Sequence, residues 1–573
     1  MITNINKIFA ACFLCCNMAV VLTSCNDMLD TVPQGSFTMD QLNEAGDGEL
    51  DADGLVASAY AGLGAHYFGN NEAFAGPSTN WIFDVRSDDA YKGGGGTGME
   101  QNIHLLEVSE LNSDNVSCLN KWQNNYYAVT RCNNAIKLLK GNTSLSDGKS
   151  LVGELKTLRA WYYFDLIRIF KYIPYFTEED DASKKSNMEF SRDEIFEKIK
   201  TDLKEAIEVL PEQKSDKGRV TRTTALSILA KVCAHTGNWA DVETYTSAVI
   251  DSKQYALFAN FGDMSKVANN NGSESIFALQ CSTDNDNAYI NWSNLLNCTY
   301  SDGNLYGTGD DFFYGSQNLV NAFRTDSKGL PFLDGTFNDV NVDDSYTGYV
   351  DPRLDYTVGR VGYFWRGHVY TDGWCRAKET YGEFSNKKGW PAPGEAAATW
   401  PWGCSSLNFI FIRYADILLL KAEALIEQSP AGANAATEKR LADARALINE
   451  VRTRAYNTGQ DVAYVPVDLT PAKAKYRVRP YADDNDGNLF WTTDQARRAV
   501  RMERRLELAL EGHRWFDLQR WGDSYLLETM NNYMTKEAER RSYYKKRSVS
   551  ADEIFLPLPK DEVDNSNGLY KQY

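Results

Sequence analysis

Histidine is scarce in this chain. There are five in 573 residues (His66, His104, His235, His368 and His513), and no two stand at the spacing of a metal site. No GxSxG, HExxH or P-loop GxxxxGK run is present, so a nucleophile elbow, a zincin helix and a phosphate-binding P-loop are excluded. Positive charge is short as well: 60 Lys and Arg against 78 Asp and Glu leave a net −18. Such a balance works against phosphate backbones and anionic headgroups, which are bound mainly by Lys and Arg. Beyond the first two dozen residues no apolar run reaches the ~20 residues of a membrane span. Gly93, Gly95 and Gly98 formally match a dinucleotide fingerprint, but no clear strand precedes them and the run is simple glycine repetition. These absences leave a glycosidase open, since it needs only two carboxylates from a large supply of acids.

Cysteine is present without pattern. Cys12, Cys15 and Cys16 fall in an apolar leader, and the seven from Cys118 to Cys404 are widely spaced, with neither a disulfide framework nor a zinc motif. They are expected as scattered, mostly buried thiols. Cys25 differs. Met1–Lys7 carries one Lys and no acid, residues 8–22 are mostly apolar, and Leu22-Thr23-Ser24-Cys25 follows. A run of that length is too short to span a membrane and reads as a secretory signal. A Cys at its end makes it a lipoprotein signal, with Cys25 the lipidated first residue, in preference to an ordinary signal with a chance Cys. Residues 1–24 are therefore the signal peptide and 25–50 a polar, turn-rich tether.

What is abundant is helical periodicity and aromatic side chains, with 13 Trp and 32 Tyr. Leu55, Ala59 and Leu63 mark one helix face, and Trp122, Tyr126, Val129, Ile136 and Leu139 another. Residues 151–170 predict a helix that ends before Pro174, and Ser191 with Glu194 forms a capping box opening the next. Residues 224–236 run into Gly237 and restart at Trp239, the helix–turn–helix logic of a tetratricopeptide unit. A related pair falls at 413–427 and 438–454. Between them, over 255–408, periodicity fades while Gly, Asn, Asp, Tyr and Trp rise. That is too long for a loop in a compact domain and predicts a loop-rich subdomain inserted in a helical scaffold. The expected divisions are 51–254, 255–408 and 409–573, in a mainly α chain of about four helix pairs plus the insertion.

The C-terminal run Glu503-Arg504-Arg505-Leu506-Glu507-Leu508-Ala509-Leu510-Glu511-Gly512-His513-Arg514-Trp515-Phe516-Asp517-Leu518 strongly resembles the signature of the SusD/RagB family of outer-membrane nutrient-binding lipoproteins. The tether from Cys25 to Asp30, the stretch 154–166, the stretch 413–424 and the tail 554–559 agree in order. The resemblance implies an all-α scaffold of four tetratricopeptide-like units with an irregular ligand-binding subdomain. It implies a lipid-anchored protein facing the cell exterior that takes glycan and closes as a lid over a SusC-like TonB-dependent barrel transporter, without catalysis or cofactor. The Arg and Glu residues of the signature read as scaffold, salt-bridged along helix faces.

Sugar rings have C–H-rich faces and hydroxyl edges, so exposed Trp or Tyr beside Asp, Asn and Arg suits them. Trp81, Asp84, Arg86, Asp88 and Asp89 concentrate these types beside a glycine run, with a structural ion-pair network as the competing reading. Trp292, Trp365 and Arg366 are the candidates in the insertion. Asp284-Asn285-Asp286-Asn287 has calcium-like spacing but lacks the EF-hand Gly and Glu, and reads as a surface turn. The acidic balance points to a neutral glycan, with a levan-type fructan the first guess. The alternatives are a helical-repeat adaptor that binds protein, and the glycosidase above.

Overall fold

A computed structural model of the chain describes residues 51–64, 83–142, 145–283, 291, 294, 296–301, 305–399, 402–430, 434–460, 475–482 and 492–573. The chain divides into two compact units, residues 1–58 and 59–573. In the first, the described residues open a helix in which the Gly54 N–H donates to Asp51 Oδ1 at 2.8 Å.

The second unit is a stack of helices. Helix α1 (Val116–Gly141) is capped by Asn115, whose side chain accepts from the Ser117 and Cys118 N–H groups. It packs on α2 (Gly148–Ile169), and α2 packs on α3 (Arg192–Val209). From Gly153 onward α2 is buried almost all round, as expected of a helix sandwiched between neighbours. Its polar side chains are matched one by one: Arg159 makes two 2.8 Å bonds to Asp202, and Asp165 meets Lys121 at 3.0 Å and Arg168 at 3.1 Å. Ser191 and Glu194 close the capping box that their spacing predicts, and α3 stops before Pro211.

Helices α4 (Arg222–His235) and α5 (Trp239–Asp251) form the tetratricopeptide-like pair, turned by Gly237 at φ +70°. α5 then packs not on the next residues in sequence but on α6 (Tyr414–Glu427), which in turn carries α7 (Ala435–Gln460) and α8 (Thr493–Leu508). The helical stack thus runs on across the insertion. α9 (Arg514–Arg520) and α10 (Asp523–Arg540) pack together after it. This is the helical-repeat scaffold with an irregular insertion that the periodicity predicts.

Among the described residues eight short strands pair antiparallel in twos. β1 (Ala90–Gly93) pairs with β3 (Phe312–Gly315), joining the segment after Phe83 to the insertion. β2 (Ser275–Leu279) pairs with β8 (Phe409–Arg413), so the two ends of the insertion are hydrogen-bonded to each other. Between them lie β4 (Arg324–Thr325) with β5 (Tyr349–Val350), and β6 (Phe364–Trp365) with β7 (His368–Val369). All seven described cysteines are free thiols, six of them buried. Among the described residues no helix is long and apolar enough to cross a membrane, and no group of His, Cys, Asp or Glu could hold a metal ion.

The acidic and basic residues around α8 are paired, Arg497 and Arg498 with Asp494 along the helix as expected and the buried ones across to other elements. The partners of the buried Glu503 and Glu507 come from other elements. Arg353 bonds Asp351 twice, Glu503 at 2.7 Å and Glu507 at 2.9 Å. Arg452 takes the other oxygen of Glu503 at 2.8 Å. Glu274, Arg413 and Arg454 complete the array around Glu507 and Glu511. Burial works against charge here, yet Arg454, Arg413 and Arg353 hold the Glu507 carboxyl far below the usual range.

Candidate functional site

Cys25, Trp81 and Trp292 lie outside the described residues, as do residues 284–287. The other sequence candidates are interior, apart from the half-buried Arg366. Asp84, Arg86, Asp88 and Asp89 are each at most 3% exposed. Asp88 receives Arg514 through two bonds of 2.7 and 2.9 Å and Arg505 at 3.1 Å, while Asp89 receives Arg505 at 2.7 Å. The Gly512 N–H donates to Asp84 Oδ2 at 2.8 Å, and Arg86 lies 4.0 Å over the Trp515 ring while donating to the Glu553 carbonyl. Burial opposes the Asp88 charge, but Arg505 and Arg514 outweigh it and hold this carboxyl at about 2. Burial and the neighbouring Asp89 push Asp84 well above its ordinary value. The segment is a buried ion-pair network that fastens residues 83–89 to the C-terminal signature. It presents no side chain to solvent, so it acts on a ligand only through the elements it holds.

Trp365 is fully buried as well. It stacks on Tyr370 at 5.5 Å, meets Trp374 edge-on at 6.0 Å, and donates its indole N–H to Tyr306 Oη at 3.3 Å. Tyr306 packs against buried Trp390 at 4.7 Å. These rings are the insertion's own core, which accounts for much of its aromatic content. Arg366, half-buried beside Trp365, sits at φ +46°.

An aromatic and charged surface does form, from residues that sequence reasoning passed over. Tyr300 is 40% exposed and its ring lies 5.2 Å from the guanidinium carbon of Arg376, which is paired with Asp310. The Tyr300 N–H donates to the Trp374 carbonyl at 3.0 Å, which seats the exposed ring on the aromatic core. The Arg376 side chain is 27% and that of Asp310 40% exposed, so a ring face, a carboxylate and a guanidinium meet solvent together. Stacking surface and paired hydrogen-bonding groups side by side are what a sugar ring requires.

The glycine run forms the border of this surface. A Cβ on Gly95 would fall 3.2 Å from Arg376 Nε, and one on Gly93 (φ +75°) only 2.7 Å from the Asp311 carbonyl oxygen, so glycine is needed at position 93. Contrary to the sequence expectation, a strand does precede the run. The loop nevertheless does the reverse of cradling phosphate: the carbonyls of Gly93, Gly96 and Met99 accept from the buried Lys92 ammonium at 2.9, 2.8 and 2.5 Å. Burial lowers Lys92 to about 8.

Asp311 holds loop and rim together. Its carbonyl accepts from the Gly94 N–H at 2.8 Å, and its Oδ2 accepts from the Arg376 N–H at 3.0 Å and from the Tyr314 hydroxyl. Burial raises this carboxyl to about 7, against the hydrogen bonds of Tyr314, Ser385 and Arg376 that favour its charge. Nothing in the sequence around Gly307, Gly309 and Asp310-Asp311 tells an exposed Tyr300 from a buried Tyr306.

Comparison with known proteins places the chain. Residues 38–233 match a family model described as starch-binding, associating with the outer membrane. A SusD-like protein of Bacteroides ovatus is 25% identical, over 95% of this chain and 94% of the relative. SusD-like protein P38 of Formosa agariphila is 24% identical, over 87% and 88%. Among solved structures, the surface glycan-binding protein A of Bacteroides thetaiotaomicron, in complex with laminarihexaose, superposes with a TM-score of 0.64 at 20% identity, covering 91% of this chain and 98% of that one. A SusD-like carbohydrate-binding protein of Bacteroides fragilis reaches 0.70 at 21% identity, with coverage of 91% and 98%. At such identities the structures show a shared fold. The model of the SusD family itself matches residues 273–573, more than half of the sequence, and the chain belongs to that family.

Proposed function

We propose that the chain is a glycan-binding lipoprotein of the outer membrane, which captures oligosaccharide or polysaccharide at the cell exterior and passes it to a SusC-like TonB-dependent transporter that it covers as a lid. The observation that carries the binding role is the exposed Tyr300 ring beside the Asp310–Arg376 pair, held in register by Asp311 and the glycine loop. Binding there is without turnover, as the family's carbohydrate-binding members support. Similar proteins support the ligand class, one solved with laminarihexaose and another described as a laminarin-binding SusD-like protein.

The net charge of −18 favours a neutral glycan. Laminarin and levan are both neutral, so the deciding test is calorimetry on the chain from Asn26 with laminarin, levan and starch against sulfated and uronic glycans. Binding to a neutral glycan that Tyr300→Ala weakens is the expected result. Binding confined to polyanions overturns the neutral reading. Membrane attachment is assigned to acyl chains on Cys25, and Cys25→Ala should release a protein that still binds glycan; retention at the membrane would remove the anchor from Cys25.

A further inference from the structure

A second concave site lies at the foot of the insertion, and none of Tyr300, Asp310, Asp311 and Arg376 lines it. It is bounded by the turn at Phe261–Ser265, residues 386–389, the start of β8 and the segment carrying Asn294 and Asn297. The cleft leaves about 80 Å³ within reach of water centres. Roughly 10–15 Å³ of such space suffices for one water. The cleft therefore has room for a handful of waters, or for the single sugar ring that would displace them.

Its chemistry is that of a neutral polyol site. The floor is ionic but fully matched. Lys388 Nζ is paired with Glu511 at 2.7 Å and also donates to the Glu507 and Ala509 carbonyls, while Arg413 is shared among Glu274, Glu507 and Glu511. Among the described residues no unmatched cation is left there to attract an anion. The walls combine Phe261 and the half-buried Phe409 with side-chain amides. Asn294 is fixed by its Nδ2 donating to the Gly389 carbonyl at 3.2 Å, and Asn386 by accepting from the Lys388 N–H at 2.8 Å. Asn297 is different. It is 2% exposed, it lines the cleft, and its Oδ1 is buried without a hydrogen-bond partner. A buried acceptor in that state is costly and selects a ligand that brings a donor.

We propose that this cleft is a second binding site, taking one hexose-sized neutral sugar whose hydroxyl donates to Asn297 Oδ1 while its C–H face lies against Phe409. The ligand class rests on the reading of the chain as glycan-binding; the location does not.

The test is ligand-observed NMR titration of the intact protein with free glucose and free fructose, run beside polysaccharide binding on the same preparation. One of the two sugars should saturate the protein. Asn297→Leu should weaken that binding by about tenfold or more, the loss expected for one buried hydrogen bond. Phe409→Ala, a change at the cleft mouth, is the second probe should Asn297→Leu fold poorly, and it should weaken binding similarly. Tyr127→Ala, on an exposed part of α1, should change nothing. Failure of both sugars to saturate, or unchanged affinity in both cleft variants, means a hydrated cavity only and overturns the proposal. Polysaccharide binding with no monosaccharide binding sinks the cleft and spares the rim. Monosaccharide binding lost in the cleft variants, with no polysaccharide binding in the wild type, supports the cleft and sinks the rim.

Discussion

Arg413 Nη1 lies 2.5 Å from Glu507 Oε1, both side chains buried, and the pair joins the last residue of the insertion's closing strand to the family signature on α8. The same guanidinium reaches Glu274 at the insertion's entry and Glu511 beyond α8. Arg413→Met should take one cation from each of Glu274, Glu507 and Glu511, leaving Arg454, Arg353 and Lys388 to hold them. Breaking one side of a buried ion pair typically costs about 3–5 kcal/mol, and a urea melt should show a loss of that size. A shift below about 1 kcal/mol would mean that water replaces the guanidinium and that the array is not what holds the insertion's ends.

Asp88→Asn and Tyr300→Ala should separate scaffold from ligand surface. Asp88 is gripped by Arg505 and Arg514 in the interior, so its amide variant should lower stability by several kcal/mol, of the order of ~3. Tyr300 stands at the surface, and its truncation should leave stability within about 1 kcal/mol while weakening glycan binding about tenfold or more. The opposite pattern, a stable Asp88→Asn chain with impaired binding, would return the 84–89 segment to the ligand surface.

Much of this was legible in the sequence, and the reason differs by region. Helices such as 192–209 announce themselves because one face must be apolar and both ends need caps; Ser191, Glu194 and Pro211 supply them. The fading of that pattern over 255–408 marked the insertion for the same reason. What could not be read was the partner of each polar residue. Asp88 and Arg514 are 426 positions apart yet 2.7 Å apart in space, and nothing local to either distinguishes a buried pair from a sugar contact. Trp365 and Tyr300 pose the same difficulty: composition says that a ring is present, and only the packing says whether its face is covered. The glycine run shows only repetition in the sequence, whereas its conformation is held by Lys92, one residue before it.

Lys92→Met should open that glycine loop locally. Three carbonyls lose their donor, each a buried or part-buried acceptor whose bond contributes about 1 kcal/mol, and residues 93–99 would then be held by fewer bonds. Amide exchange should rise in this stretch while α1 to α3 exchange as before. Uniformly faster exchange across all helices would instead make Lys92 part of the global core.

Trp365→Ala should behave as a core deletion. The ring is enclosed by Tyr370, Trp374 and Tyr306, and emptying such a site costs about 3–5 kcal/mol. Thermal melting should show that loss, and any fall in glycan affinity should follow from disorder of the aromatic core beneath Tyr300. An unaltered melting curve with impaired binding would place Trp365 at the ligand instead.

Asp311→Asn should change how stability depends on pH. Burial raises the folded-state pKa of Asp311 from 3.8 to about 7, so between those values the folded chain keeps a proton that the unfolded chain gives up. Where the native state binds more protons, stability falls as pH rises. The term is absent below about pH 4, grows to about pH 7 and is constant above, reaching up to about 4 kcal/mol at 1.36 kcal/mol per unit. Asn suits the position. Its oxygen can still accept from the Arg376 N–H, and Asn is among the few residues that tolerate the φ of +53° found there. Urea melts of both proteins at pH 4.5, 6 and 8 should therefore diverge, with the variant gaining relative to the wild type as pH rises. Asp84 and Asp89, also raised by burial, remain in both and cancel in the difference. Parallel curves would show that Asp311 is ionised throughout, its charge carried by Arg376 and Tyr314.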